Sequence, residues 1–235
     1  MGHVGRGARY PVLRTSNGPK GFAMTFAHAA WHPATDQPAP TVVALHGHGA
    51  HAQDLLGLAP YLADGRVAML CPQAEYPIGA GQYTWFRRDA AGQRSVEEFE
   101  RVAADLRAFV EEMVPRTGGD PQRTVILGFS QGGTLAYRLG LAAGAPFAGV
   151  AALSTYFPED IASVVDHGTA AAMPLIVQHG TQDSMIEVSR AQSSRDLLQT
   201  IGAQPEYHEY PMAHEIGRQS LTDLSGWLAR VLKLD

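Results

Sequence analysis

Five short apolar runs recur along the chain, each bounded by turn-forming residues: Thr41–Leu45, Val67–Leu70, Thr124–Leu127, Ala148–Leu153 and Leu175–Val177. They are rich in Val, Ile and Leu and nearly continuous rather than alternating. That pattern suits strands covered on both faces, as in a parallel sheet. The segments between them carry helical spacing. Val96, Phe99, Val102, Ala103, Leu106, Val110 and Met113 recur at three and four residues, with Glu and Arg opposite. This helix is expected to stop before Pro115 and Gly118-Gly119. Further helices are expected over 54–62, 131–143, 188–201 and 215–232, a strand over 205–210, and an antiparallel edge strand within 22–31. Strands alternating with helices predict an α/β fold, a mostly parallel central sheet with helices on both faces.

Length and composition set the outer limits. A chain of 235 residues with 45% hydrophobic and 17% charged residues suits one α/β domain over 1–235 and excludes a disordered or coiled-coil protein. Residues 1–20 read as a poorly ordered N-terminal extension. A net charge of −5 and scattered basic residues argue against a nucleic-acid partner, which needs a basic stripe to displace counterions. The one cysteine, Cys71, cannot form an internal disulfide, and the first ten residues lack the apolar core of a signal peptide. A cytoplasmic location follows as the expectation. The stretch Leu139–Pro158 is uncharged for twenty residues, long enough to span a bilayer. It contains three glycines and Pro146, however, and reads as a helix end, a turn and a buried strand, with no integral membrane association.

The sharpest chemical signal is Gly128-Phe129-Ser130-Gln131-Gly132, directly after one apolar run and directly before a helix. In that context G-x-S-x-G has a mechanical meaning. A tight strand-to-helix turn thrusts the serine hydroxyl out of the sheet, and glycines stand where strand and helix approach too closely for side chains. A serine needs a base, and the base an orienting acid. In this architecture they follow in the order Ser, acid, His, on loops after later strands. Asp183, in the loop after Leu175–Val177, and His214, between a strand and the last helix, meet that order. Asp160, Asp166 and Glu187 compete for the acid, His179 and His208 for the base. His179 precedes Asp183, and His208 lies inside a strand. Turnover is expected to climb with pH as the base loses its proton.

Two backbone donors should hold the oxyanion: the N–H of Gln131 at the helix start, and the N–H of His48 in the loop His46-Gly47-His48-Gly49 after Thr41–Leu45. The same loop carries a rival reading. His46, His48 and His51 spell H-x-H-x-x-H, resembling the H-x-H-x-D-H run of binuclear zinc hydrolases. Ala50 stands in place of the carboxylate for a second ion, and no later ligand set matches. No metal and no cofactor are therefore expected.

Together, Leu45–Gly49, Gly128–Gly133, His179–Asp183 and Tyr210–Ile216 resemble the phospholipase/carboxylesterase family of α/β-hydrolases, which includes acyl-protein thioesterases. The likeness runs from about residue 40 to the end. It implies an α/β-hydrolase fold, Ser130 as nucleophile, Asp183 as acid, His214 as base, and the N–H groups of His48 and Gln131 as oxyanion hole. Three departures bear on substrate. Ser184-Met185-Ile186-Glu187 stands where the family often has Pro-Val-Val-Pro, Ala213-His214 where it often has Gly-His, and Arg87-Arg88 where an Asp usually follows the aromatic pair. Trp85 and Phe86 either line the acyl pocket, with Tyr156 and Met185, or serve as core. The connection 154–173 is too short for a separate cap domain, so the cleft should be open and admit a bulky leaving group, with Tyr156, Phe157 and Ile161 as candidates for a small flap.

The expected activity is hydrolysis of small or lipid-like carboxylic esters with short to medium acyl chains, or of thioesters, through an acyl-enzyme, by a monomer or homodimer. Lysophospholipase or acyl-protein thioesterase activity, an acyltransferase using the same triad, and a non-catalytic binding protein are the alternatives.

Overall fold

The structure, a computed structural model, describes residues 26–234. The expected N-terminal extension, and residues 22–25 of the expected edge strand, lie outside the described residues.

The apolar runs form one sheet of seven strands in the order β1-β3-β2-β6-β7-β8-β9. These are β1 (His28–Trp31), β2 (Ala39–Leu45), β3 (Ala68–Pro72), β6 (Gly119–Phe129), β7 (Gly149–Leu153), β8 (Leu175–Gly180) and β9 (Glu206–Tyr210). All neighbours are parallel except β1, which runs antiparallel to β3 at the edge. Successive side chains of a strand point to opposite faces, so a continuous apolar run feeds two cores. Val43, Leu45, Ile126, Val150 and Val177 pack under α1 (Val96–Arg116), α2 (Gln131–Gly140) and α4 (Val188–Thr200). Val42, Ala44, Val125, Leu127 and Ile176 pack under α5 (Arg218–Val231) and the 3-10 segment Leu56–Gly65.

Local chemistry sets the element ends. Ser95 caps α1, its Oγ accepting the Glu98 N–H at 3.2 Å, with Glu97 and Glu98 favourable at the positive end of the helix. The helix runs to Arg116, past the expected stop before Pro115. Proline lacks one N–H there, but the cap residue Thr117, two places on, still reaches the Met113 carbonyl at 2.9 Å. The helix expected over 54–62 is a 3-10 segment instead, broken at Leu62–Asp64, where Ala63 and Asp64 have positive φ. Gly57 and Pro60 deprive an α-helix there of propensity and of one donor. The Leu139–Pro158 stretch divides into the end of α2, a turn and β7, and no described helix is long and apolar enough to cross a membrane. The connection after β7 holds one 3-10 turn (Glu159–Ile161) and the short α3 (His167–Ala172).

A hairpin of β4 (Tyr76–Gly79) and β5 (Gln82–Thr84) reaches across to the loop after β2. There the Gly49 N–H donates to Tyr83 O at 2.9 Å and the Tyr83 N–H to Ala50 O at 3.1 Å. This small element fixes the loop from outside the main sheet.

Candidate active site

At the C-terminal ends of β6, β8 and β9 three side chains meet, the edge at which parallel α/β sheets place ligands. Ser130 follows β6 with φ 53° and ψ −118°, a left-handed backbone that a non-glycine residue keeps only under constraint. The constraint is visible. Its N–H donates to Leu153 O at 2.9 Å, and its carbonyl accepts from Thr155 Oγ1 at 2.7 Å and from the Gly133 N–H at 3.0 Å. A Cβ at Gly128 would stand 2.2 Å from Gly132 O. Strand and helix can turn this tightly only with glycine there.

Ser130 Oγ lies 2.9 Å from His214 Nε2, and His214 Nδ1 lies 2.7 Å from Asp183 Oδ2. Asp183 Oδ1 accepts the N–H groups of Met185 at 2.9 Å and Ile186 at 2.8 Å, so both carboxylate oxygens are engaged. Burial opposes ionisation of Asp183. The hydrogen bonds from Ile186, His214 and Met185 outweigh it, and the carboxyl is held below its usual value. The acid and base loops are laced together: the Thr181 N–H donates to Tyr210 O at 2.8 Å and the Gln182 N–H to Met212 O at 3.1 Å. The Phe129 ring stands 4.9 Å from that of His214.

The other candidates are engaged elsewhere. Asp160 pairs with Arg94, Asp166 caps α3 and Glu187 precedes α4. His208 sits in β9. His179 is buried behind Asp183, its Nε2 2.8 Å from Ile186 O and 3.4 Å from Asp183 Oδ2.

The residues of the two expected oxyanion donors are joined through Thr84. Gln131 Nε2 donates to Thr84 Oγ1 at 2.8 Å, and the hydroxyl donates to Phe86 O at 2.9 Å. His48 Nδ1, 3.0 Å from the same oxygen, is then its second donor. Gln131 Oε1 accepts the Trp85 N–H at 3.1 Å. As the first residue of α2, Gln131 has no intrahelical partner for its own N–H. The Thr84 network carried no signal in the sequence, because one threonine after a hairpin has no distinguishing pattern.

The histidine run does not converge. His46 Nδ1–H donates to Gly47 O at 2.8 Å while its Nε2 accepts the Ala74 N–H at 3.1 Å. His48 turns to Thr84, and His51 Nε2 stands 3.4 Å from Asp54. Among the described residues no group of three or more His, Cys, Asp or Glu side chains is disposed to hold a metal ion. Burial holds the His46 imidazole down to about 4, against the Gly47 carbonyl and the Asp54 carboxylate, which both favour its protonation.

The expected pocket residues divide. Trp85 and Phe86 are fully buried core, not pocket wall: Trp85 Nε1 donates to His46 O at 2.7 Å, and Phe86 packs edge-on against Phe99 at 5.4 Å. Phe157 and Ile161 are likewise core, so no flap forms from them. Met185 is 76% exposed. Tyr156 lines a cavity of about 590 Å³ between the segment after β7 and the start of α4. A second cavity, about 350 Å³ and mainly apolar, is lined by Gly47, Leu55, Leu58, Ile216 and Phe129, the chain neighbour of Ser130, with His46 and Asp54.

Residues 27–232 match the phospholipase/carboxylesterase family. An acyl-protein thioesterase 1 of Cryptococcus neoformans is 29% identical over 222 residues, covering 82% of this chain and 92% of that protein. One of Mycosarcoma maydis is 25% identical, covering 83% and 92%. Among solved structures, a carboxylesterase from Mesorhizobium loti has a TM-score of 0.76 at 21% identity, covering 93% of this chain and 98% of that one. The Bacillus cereus carboxylesterase has a TM-score of 0.73 at 21% identity, covering 88% and 94%. These two likenesses bear on the fold alone. With the match extending from β1 to the end of α5, the chain belongs to the phospholipase/carboxylesterase family of α/β-hydrolases.

Proposed function

We propose that the protein hydrolyses carboxylic esters of short to medium acyl chains through an acyl-enzyme on Ser130. The observation that carries this reading is the unbroken chain Ser130 Oγ–His214–Asp183, at 2.9 and 2.7 Å, on a strained turn. In this reading His214 Nε2 takes the hydroxyl proton as Oγ forms its bond to the carbonyl carbon. Asp183 holds the imidazole with Nδ1–H facing it and stabilises the imidazolium that results. The backbone N–H groups of Gln131 and His48 receive the oxyanion, a contribution on the order of 10²–10³ in rate for each donor. As the carbon–oxygen bond to the leaving group breaks, His214 returns the proton to the departing oxygen. Water then enters, gives its proton to His214 and its oxygen to the acyl carbon, and Ser130 is restored.

The apolar cavity beside Phe129 and Gly47 accommodates the acyl chain. The relatives named acyl-protein thioesterase 1 support extending the reading to thioesters, whose leaving group needs less help from a proton. Capture of the acyl-enzyme by an alcohol instead of water uses the same groups and is separated by product analysis.

Replacing Ser130 with Ala should abolish nearly all turnover of a 4-nitrophenyl ester and all labelling by a fluorophosphonate, with the thermal transition retained. A variant as active as the parent ends the proposal.

A further inference from the structure

The arginine pair that departs from the family pattern finds two different uses. Arg87 is paired: its N–H donates to Glu98 Oε2 at 2.9 Å, and its Nη2 lies 3.2 Å from Glu98 Oε1. Arg88 has no carboxylate partner among the described residues. Its Nη1 donates to Gly92 O at 2.6 Å and its Nη2 reaches the Tyr156 hydroxyl at 3.4 Å. The neighbouring Asp89 is turned to the N–H groups of Ala91 and Gln93. Arg190, in the first turn of α4, also lacks a carboxylate partner, and its guanidinium lies 3.7 Å from the centre of the Tyr156 ring.

Tyr156, Arg190 and Arg94 stand on the wall of the 590 Å³ cavity. The Arg94 side chain is 9% exposed. Its Nη2 is paired with Asp160 at 2.7 Å and its guanidinium lies over Phe99 at 3.7 Å, yet Nη1 is buried without a hydrogen-bond partner. A buried guanidinium short of an acceptor is costly in a folded protein. The charged residues lining the cavity, Arg94 and Arg190 against Glu159 and Asp160, balance one another, and Arg88, outside the lining but at the Tyr156 hydroxyl, adds one positive charge at its edge.

One wall of the cavity is tied to the Ser130 turn. Its walls leave the sheet from β7 and β8, and Thr155, the neighbour of Tyr156, donates its hydroxyl to Ser130 O at 2.7 Å. The loop of Asp183 continues directly into α4.

We infer that this cavity, with Arg88 and Arg190 at Tyr156, receives a carboxylate carried by the ester, so that the enzyme prefers substrates with a single negative charge. The inference rests on the esterase reading. Guanidinium groups bind carboxylates through paired, charge-assisted hydrogen bonds, and the single net positive charge suits a monoanion.

Two matched pairs test it. 4-Nitrophenyl hydrogen glutarate against 4-nitrophenyl pentanoate places the charge on the acyl side. 4-Acetoxybenzoate against its methyl ester places it on the leaving group. In the parent enzyme the charged member of one pair should have the higher kcat/KM. In the double variant Arg88→Gln, Arg190→Gln the charged-to-neutral ratio for that pair should fall about tenfold, mainly through KM. Both arginines are exposed, so the variant should fold, which its thermal transition checks. Turnover of both members of each pair with an unaltered ratio removes the inference alone. Absence of turnover of every ester removes the esterase reading and the inference with it.

Discussion

A Cβ on Gly132 would stand 2.2 Å from the carbonyl oxygen of Leu45, so helix α2 and strand β2 approach as closely as two backbones can. This contact sets Ser130, at the start of α2, against the loop 46–49 that leaves β2. The neighbouring atoms are all backbone, Leu45 C at 2.6 Å and His46 O at 2.7 Å, and cannot swing aside as a side chain would. Gly132→Ala should therefore cost about 1–3 kcal/mol in stability, seen as a fall in Tm of roughly 2–4 °C per kcal/mol. Ester turnover should drop further than stability, because the displacement falls on the loop 46–49, to which the proposed function gives an oxyanion donor.

Thr84 is expected to matter for rate without touching substrate. Thr84→Val keeps shape but removes the oxygen shared by His48 Nδ1 and Gln131 Nε2, so the two residues lose their common tie and His48 Nδ1 its acceptor, while Gln131 Nε2 keeps Phe86 O at 3.2 Å. A displacement of His48 that weakens its proposed contact with the oxyanion by about 1.4 kcal/mol lowers kcat roughly tenfold. KM should change little, and Thr84→Ser should restore the rate. Steady-state kinetics on a neutral 4-nitrophenyl ester reads both parameters.

Asp183→Asn should leave the fold intact, since an amide oxygen can still accept the Met185 and Ile186 N–H groups, but it no longer holds Nδ1–H of His214 toward position 183. The wrong imidazole tautomer should lower kcat by about 10³–10⁴-fold. Fluorophosphonate labelling of Ser130 should slow in parallel. Labelling at the parent rate would contradict the role given to Asp183.

Buried His46 makes stability depend on pH. Unfolded, the imidazole has a value of 6.5; folded, it is held down to about 4. Across that window the unfolded chain binds a proton that the folded chain refuses. Stability is therefore full above 6.5 and falls as the pH drops toward 4, by up to about 3 kcal/mol from this group. Asp183, held low, loses its contribution only at more acid pH, as it protonates below its usual value. Urea unfolding at pH 7.5 and 4.5 should show the fall, and His46→Asn should flatten it.

Motif and chain order brought Ser130, Asp183 and His214 forward among several candidates, and the family resemblance assigned their roles, because a strand-to-helix turn through glycines and the loops after two later strands are local features. The fold brings these three side chains within 2.9 and 2.7 Å of one another. The parallel sheet was legible for a similar reason: burial on both faces demands continuous apolar runs, and Val42 and Val43 feed opposite cores. Tertiary structure alone decided what cannot be local. A Trp-Phe pair is as apolar in a pocket as in a core, and only the Trp85 hydrogen bond to His46 O and the edge-on packing of Phe86 against Phe99 place it in the core. Thr84, His48 and Gln131 are separated by 36 and 47 residues, and a hairpin had to fold across before their polar atoms could share one oxygen. Periodicity reports which face of an element is buried. It does not report which distant polar atoms that burial forces together.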